Sequence, residues 1–146
     1  MRIIKALLLA AFLLQAFLPA HAGDSPAKLG KAPANKVIFQ VTDDDPQKWY
    51  LTLSNAKNVQ QALGKENVQI EVLVWGPGLN MVVLETEMAN EIDEAVARGV
   101  KIIACENTMI GRRLTRADMH PSISYVKTGV LYLMKRERQG WAYVRP

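Results

Sequence analysis

The chain has 146 residues, 49% of them hydrophobic and 22% charged, with 18 Lys and Arg against 14 Asp and Glu and a formal charge of +4. That length holds one domain with a real core and is too short for two, and so small a charge surplus argues against a nucleic acid as partner. One cysteine, Cys105, excludes an intramolecular disulfide, so the fold must rest on its hydrophobic core.

At the start, Arg2 and Lys5 precede an apolar run from Ala6 to Leu18, broken by Gln15 and closed by Pro19 and the small-x-small triplet Ala20-His21-Ala22. This is the order of a cleavable secretory signal. The run is shorter than the roughly 20 apolar residues that a membrane-spanning helix needs, and no later segment is apolar enough to span. The expectation is a signal peptide over 1–22, cleavage after Ala22, and a soluble periplasmic protein with no membrane partner. Without Arg2 and Lys5, 16 basic residues (18 less 2) face 14 acidic ones, a formal charge of +2. Residues 23–35 are rich in Ala, Pro, Gly and Lys, lack an apolar period, and read as a flexible leader. The domain is expected over 36–146.

Val37 to Val41 is an apolar run that fits a buried strand. Asp45 before Pro46 is a good N-cap and first helical position. Trp49, Leu53, Ala56 and Leu63 then recur at helical spacing up to the stop at Gly64. Val68 to Trp75 reads as a second strand, ending at Gly76-Pro77-Gly78, and Leu79 to Leu84 fits either a short strand or a helical turn. Thr86 to Arg98 reads as a helix closed by Gly99, with Met88, Ile92, Ala95 and Val96 on one face. Val100 to Ala104 is a third buried strand leading into Cys105. A short helix follows over Asn107 to Ile110, then a turn over Thr115 to Met119 and a brief strand at Tyr125-Val126. Val130 to Arg138 reads as a helix with Leu131 and Met134 inward and a basic outer face, ended by Gln139-Gly140. Trp141 to Val144 is the last strand. Strands alternating with helices predict right-handed crossovers and a three-layer α/β/α fold on a mainly parallel sheet of about five strands.

In open α/β sheets ligands bind beyond the carboxyl ends of the strands. Thr42 to Asp45, Trp75 to Gly78 and Cys105 to Thr108 fall there. Export implies an oxidising compartment, where structural cysteines come in pairs, so a lone Cys105 is buried and inert, linked to another chain, or a reactive thiol. A thiol at a strand end before a helix lies near backbone N–H groups that favour thiolate, the nucleophilic form. Arg112, Arg113 or His120 would add positive charge if the loop folds back, whereas Glu106 opposes it. The competing reading is a small hydrophobe continuing Ile102-Ile103-Ala104. Asp43-Asp44-Asp45 reads as a helix cap with solvated acids in preference to a metal site, and no metal or cofactor is expected. Gly76-Pro77-Gly78 lacks the Walker lysine and the dinucleotide spacing and reads as a turn forming one wall of a pocket. His120 fits a solvated loop better than a base for Cys105. The tryptophans and tyrosines sit within apolar patterns, as core or subunit interface.

The order of these pieces resembles the DsrE/DsrF-like family over roughly Lys36 to Pro146. The carriers are Lys36-Val37-Ile38-Phe39, Gly76-Pro77-Gly78, Ala97-Arg98-Gly99-Val100, Ala104-Cys105-Glu106-Asn107-Thr108-Met109, and the end Gln139-Gly140-Trp141-Ala142-Tyr143-Val144-Arg145-Pro146. The resemblance implies the three-layer fold and homo-oligomers, often trimers or hexamers. It also implies that some relatives carry sulfur as a persulfide on a cysteine; Cys105 matches the cysteine of an Ala-Cys-x-Asn-Thr subgroup. The relay members are cytoplasmic, so an exported relative would draw on exported sulfur chemistry such as thiosulfate or sulfide oxidation.

Two functions follow as expectations. In the first, Cys105 is the persulfide or thiolate site of a sulfur carrier or thiol-redox protein with sulfurtransferase-type activity and a sulfur donor or acceptor protein as partner. Asn107 and Thr108 would cap the following helix and supply donors to the charged sulfur. In the second, the protein is a non-catalytic, homo-oligomeric binding module whose pocket of Thr42, Gly76, Gly78 and Cys105 holds a small ligand, with an incidental cysteine.

Overall fold

A computed structural model describes residues 35–146; the expected signal over 1–22 and the leader, apart from Asn35, lie outside the described residues. Asn35 itself opens β1 (Asn35–Val41), and β2 (Val68–Val74), β3 (Lys101–Cys105), β4 (Ser124–Val126) and β5 (Ala142–Val144) follow. The helices are α1 (Pro46–Leu63), α2 (Ala89–Ala97), α3 (Glu106–Gly111) and α4 (Gly129–Arg138). All five strands are parallel, in the order β4-β3-β2-β1-β5.

That order explains the layers. From β1 to β4 each strand adds on the same side of the last, so right-handed crossovers put the connecting helices on one face. The step from β4 to β5 runs back across the sheet, and the same handedness puts α4 on the other face. The two hydrophobic clusters follow this division. The larger joins Phe39, Val72 and Ile102 to Trp49, Leu53 and Ile92; the smaller joins Ile38, Leu73, Ile103 and Trp141 to Tyr132 and Leu133. The result is the expected three-layer α/β/α fold. None of the described helices is long and apolar enough to cross a membrane.

Local signals act as the sequence suggests in most places. The Asp45 carboxylate accepts the Gln47 N–H at 2.9 Å, with Pro46 opening α1, and Gly64 ends the helix at φ 83°. Leu63 is nevertheless 41% exposed and lies off the buried stripe. The ambiguous segment after β2 is a 3-10 helix over Gly76–Val82, and Val83 forms an isolated antiparallel bridge to Met119. α2 starts three residues later than expected because the Thr86 hydroxyl accepts the Met88 N–H at 3.2 Å and holds a turn there.

α4 is rotated from expectation: Leu131 and Met134 are 63% and 41% exposed, while Tyr132, Leu133 and Arg136 face the sheet. The cause is Glu71, 4% exposed in the middle of β2. A buried carboxylate must be paired and hydrogen-bonded. Arg136 grips it through Nε to Oε2 at 2.8 Å and Nη2 to Oε1 at 2.6 Å, and the Tyr132 hydroxyl donates to it at 3.0 Å. The guanidinium also stacks 4.7 Å from the Trp141 ring centroid. Turning the apolar pair inward would turn Arg136 away from Glu71.

Candidate functional site

Where neighbouring strands send their connections to opposite faces, a crevice opens beyond their carboxyl ends. Here those strands are β3, which leads into α3 over the larger cluster, and β4, which leads through Lys127 and Thr128 into α4. Cys105 is the last residue of β3, in register with Val126, the last of β4. The single thiol thus stands at the one point of the sheet where this division occurs.

Ile103 belongs to the cluster under α4, so two-residue alternation turns Cys105 to the same face. Cys105 is the N-cap residue of α3, yet its side chain makes no capping bond there. Its sulfur serves α4 instead: Gly129, the first residue of α4, donates its N–H to Sγ at 3.2 Å. The α4 cap residue, Thr128, makes no side-chain capping bond, its hydroxyl accepting instead from Asn107 Nδ2 at 3.1 Å. The sulfur thus meets an N–H at the positive end of a helix of ten residues. The Lys127 carbonyl, 3.9 Å from Sγ, is placed to accept a hydrogen bond from the thiol S–H. The approach at Gly129 is close: a Cβ there would meet Trp75 Cε3 at 3.2 Å and Cys105 Cβ at 3.4 Å. The Lys127–Gly129 turn lies against the sulfur, and Cys105 is 5% exposed.

The other expected site residues gather at the same end of the sheet, but their polar groups answer one another. Gly78 donates to the Thr42 carbonyl at 3.0 Å, and a Cβ on Gly78 would come within 2.9 Å of the Val41 oxygen. Gly76, at φ 60°, donates to the Thr108 hydroxyl at 3.2 Å. The Asn107 N–H goes to the Lys127 carbonyl at 3.2 Å. Neither Asn107 nor Thr108 is hydrogen-bonded to the sulfur here: Asn107 ties α3 to the α4 entry, and Thr108 ties α3 to the Gly76 turn. A hollow of about 240 Å³ borders this end, lined by Met109, Ile110 and Leu114 and rimmed by Glu106, Arg116 and Lys127.

No protein-family model matches the chain, and neither does any curated protein. Solved structures do. MTH1491 from Methanobacterium thermoautotrophicum, a protein of unknown function, is 30% identical with a TM-score of 0.73, over 77% of this chain and 99% of that one. The chain belongs to the same family as MTH1491. BT1422 from Bacteroides thetaiotaomicron, a conserved protein of unknown function, shares the fold at 18% identity and a TM-score of 0.64, over 79% of this chain and 97% of that one.

Arg116 and Arg112 are held by partners other than the sulfur. Arg116 pairs with Glu106 at 2.7 Å and covers the Tyr125 ring at 4.5 Å, and Arg112 donates to Asn80 at 2.6 Å. His120 is not a solvated loop residue but 4% exposed. Its Nδ1 accepts the Ser122 N–H at 3.3 Å and its Nε2 faces Asp93 at 3.9 Å, so both ring nitrogens are engaged away from Cys105. The three aspartates go to separate partners. Asp43 pairs with Lys48 at 2.9 Å and Arg145 at 3.3 Å, chiefly the former holding its carboxyl below the ordinary value. Asp44 accepts from Asn80 at 2.8 Å, and Asp45 caps α1. Among the described residues no group of three His, Cys, Asp or Glu is placed to hold a metal.

What this end of the sheet can offer chemically is one sulfur, with the Gly129 N–H as a donor 3.2 Å from it. Sequence reasoning did not identify Gly129, although a glycine directly before an apolar and basic helical run was a visible cue to a close approach. The donor arrives from 24 residues downstream, a pairing that local spacing does not encode.

Proposed function

We propose that this protein is a DsrE-like sulfur carrier or thiol-redox protein that uses Cys105 as its thiolate and persulfide site. The observation that carries the reading is the Gly129 N–H, at the start of α4, donating to Sγ at 3.2 Å. The Cys105 thiolate attacks the sulfane sulfur of a persulfide or of thiosulfate. The donor's S–S bond breaks, its other sulfur leaves with the electron pair as thiolate or sulfite, and a new S–S bond forms on Cys105 without net oxidation. Access requires the Lys127–Gly129 turn to lift, because Cys105 is 5% exposed. The residue pattern over 1–22 supports a periplasmic setting for this exchange, and the resemblance to DsrE-like chains supports a homo-oligomer with a protein donor or acceptor.

The burial of Cys105 and the mutual bonding of Thr42, Gly76, Gly78 and Thr108 favour a second reading, an oligomeric binding module in which the thiol packs α4 against β3. Intact mass before and after exposure to inorganic polysulfide separates the two, with Cys105→Ser alongside. Reductant-labile additions of whole sulfur atoms on the wild type and none on the variant are the result expected of a carrier. No addition, together with resistance of the folded protein to iodoacetamide, would reject it in favour of the second reading.

A further inference from the structure

We propose that copies of this protein associate head to tail, the basic and apolar outer face of α4 in one copy seating on the acidic face around the start of α2 in the next. The inference is independent of the thiol chemistry, and it names the contact that a homo-oligomer would use.

A surface helix ordinarily buries its apolar stripe. α4 buries Tyr132, Leu133 and Arg136 and leaves Val130, Leu131 and Met134 at 52%, 63% and 41% exposure. Their charged neighbours are mostly basic. Residues 127–146 hold five basic side chains, Lys127, Lys135, Arg136, Arg138 and Arg145, and one acidic, Glu137. Arg136 is committed to Glu71, so Lys127, Lys135 and Arg138 form the outer charge, and all three are exposed.

The chain carries its own complement. Residues 84–98 hold five acidic side chains, Glu85, Glu87, Glu91, Asp93 and Glu94, and one basic, Arg98. Apolar groups stand out there too, Leu84 at 52% and Tyr50 at 47% exposure. Glu91 and Glu87 bear on Tyr50 closely enough to raise its phenol above the ordinary value. Each patch thus offers exposed apolar surface with a net charge, basic on α4 despite Glu137 and acidic around α2 despite Lys57 and Arg98 beside Tyr50 and Glu91, and the net signs are opposite. A second copy supplies both the apolar area and the counter-charge that each patch lacks.

The two patches lie on opposite faces of the sheet, since α4 packs on the smaller cluster and α2 on the larger. Such a contact is heterologous: it uses each face once per copy and leaves one of each open. Growth therefore passes the dimer and stops only when a ring closes.

Sedimentation velocity on the purified protein tests this, with Glu87→Lys/Glu91→Lys and Lys135→Glu/Arg138→Glu as the two arms and circular dichroism to confirm folding. The wild type is expected above dimer mass, and less so at high salt. Each double variant alone should fall to the monomer, and their equimolar mixture should reassemble into species of even number that alternate the two, because one then carries two basic faces and the other two acidic ones. A monomeric wild type would overturn the proposal. So would an acidic-face variant that keeps the wild-type mass, which would mark an α4-to-α4 contact, or two folded variants that fail to reassemble when mixed.

Discussion

Replacing Arg136 by Met tests what holds α4 over Cys105. The substitution keeps much of the apolar stem against Trp141 and Tyr132 but removes both charged bonds to Glu71, at 2.8 and 2.6 Å. Glu71, its side chain 5% exposed, then keeps only the Tyr132 hydroxyl at 3.0 Å. Breaking a buried pair by removing one partner costs about 3–5 kcal/mol, because the remaining charge stays buried. The Arg136 side chain is 21% exposed, so water reaches part of the gap and the lower end applies, about 3 kcal/mol. For a domain of this size that is a fall in Tm of roughly 10–20 °C. Replacing both partners, Glu71→Leu with Arg136→Met, should recover most of the loss, since an apolar pair of similar volume is often as stable as a buried ion pair. Urea melts of the four proteins in a double-mutant cycle provide the measurement. A cost under about 1 kcal/mol for Arg136→Met, or a double variant no more stable than the single, would show that Arg136 is not what makes the buried Glu71 tolerable.

Three further outcomes follow from the geometry. Gly78→Ala should cost about 2–3 kcal/mol in urea unfolding, because its Cβ meets backbone atoms of Val41 and Thr42 at 2.9–3.0 Å that cannot yield without bending the end of β1; a neutral result would mean that this approach is looser than the distances say. Thr108→Val should leave Cys105 alkylation unchanged yet cost about 1–2 kcal/mol, since the Gly76 N–H loses its acceptor; a change in thiol reactivity without a loss of stability would return Thr108 to the sulfur. Burial first, then the charge of Glu71, pushes the Tyr132 phenol from 10.0 up to about 12. The fold therefore favours the protonated form: its contribution is complete below pH 10 and lost as pH rises through about 12. Wild type should lose more stability across that window than Tyr132→Phe, and identical pH profiles would count against the shift.

The strands were legible because a parallel sheet covered on both faces makes each strand a near-continuous apolar run, as in Val37–Val41 and Val100–Ala104. Asp45-Pro46 marked the start of α1 because capping is a local event. The rotation of α4 was not legible: Leu131 and Met134 have the right spacing for a core face. What overrides them is a carboxylate on β2, 65 residues before Arg136. The position of Cys105 at a strand end could be read, since strand ends are local. Its hydrogen-bond donor could not, nor could the partners of Asn107 and Thr108, because each lies across the fold. His120 shows the same limit: a histidine before proline in a loop looks solvated until Asp93 and Ser122 are seen around it.

Sulfur transfer in a single turnover decides whether Cys105 carries sulfur. Protein loaded with polysulfide, freed of excess donor and mixed with cyanide should release thiocyanate and return to its unmodified mass, with nothing released by Cys105→Ser. A wild type that takes up no sulfur, or that releases the same thiocyanate as Cys105→Ser, would contradict the account and leave Cys105 as a packing residue beneath α4.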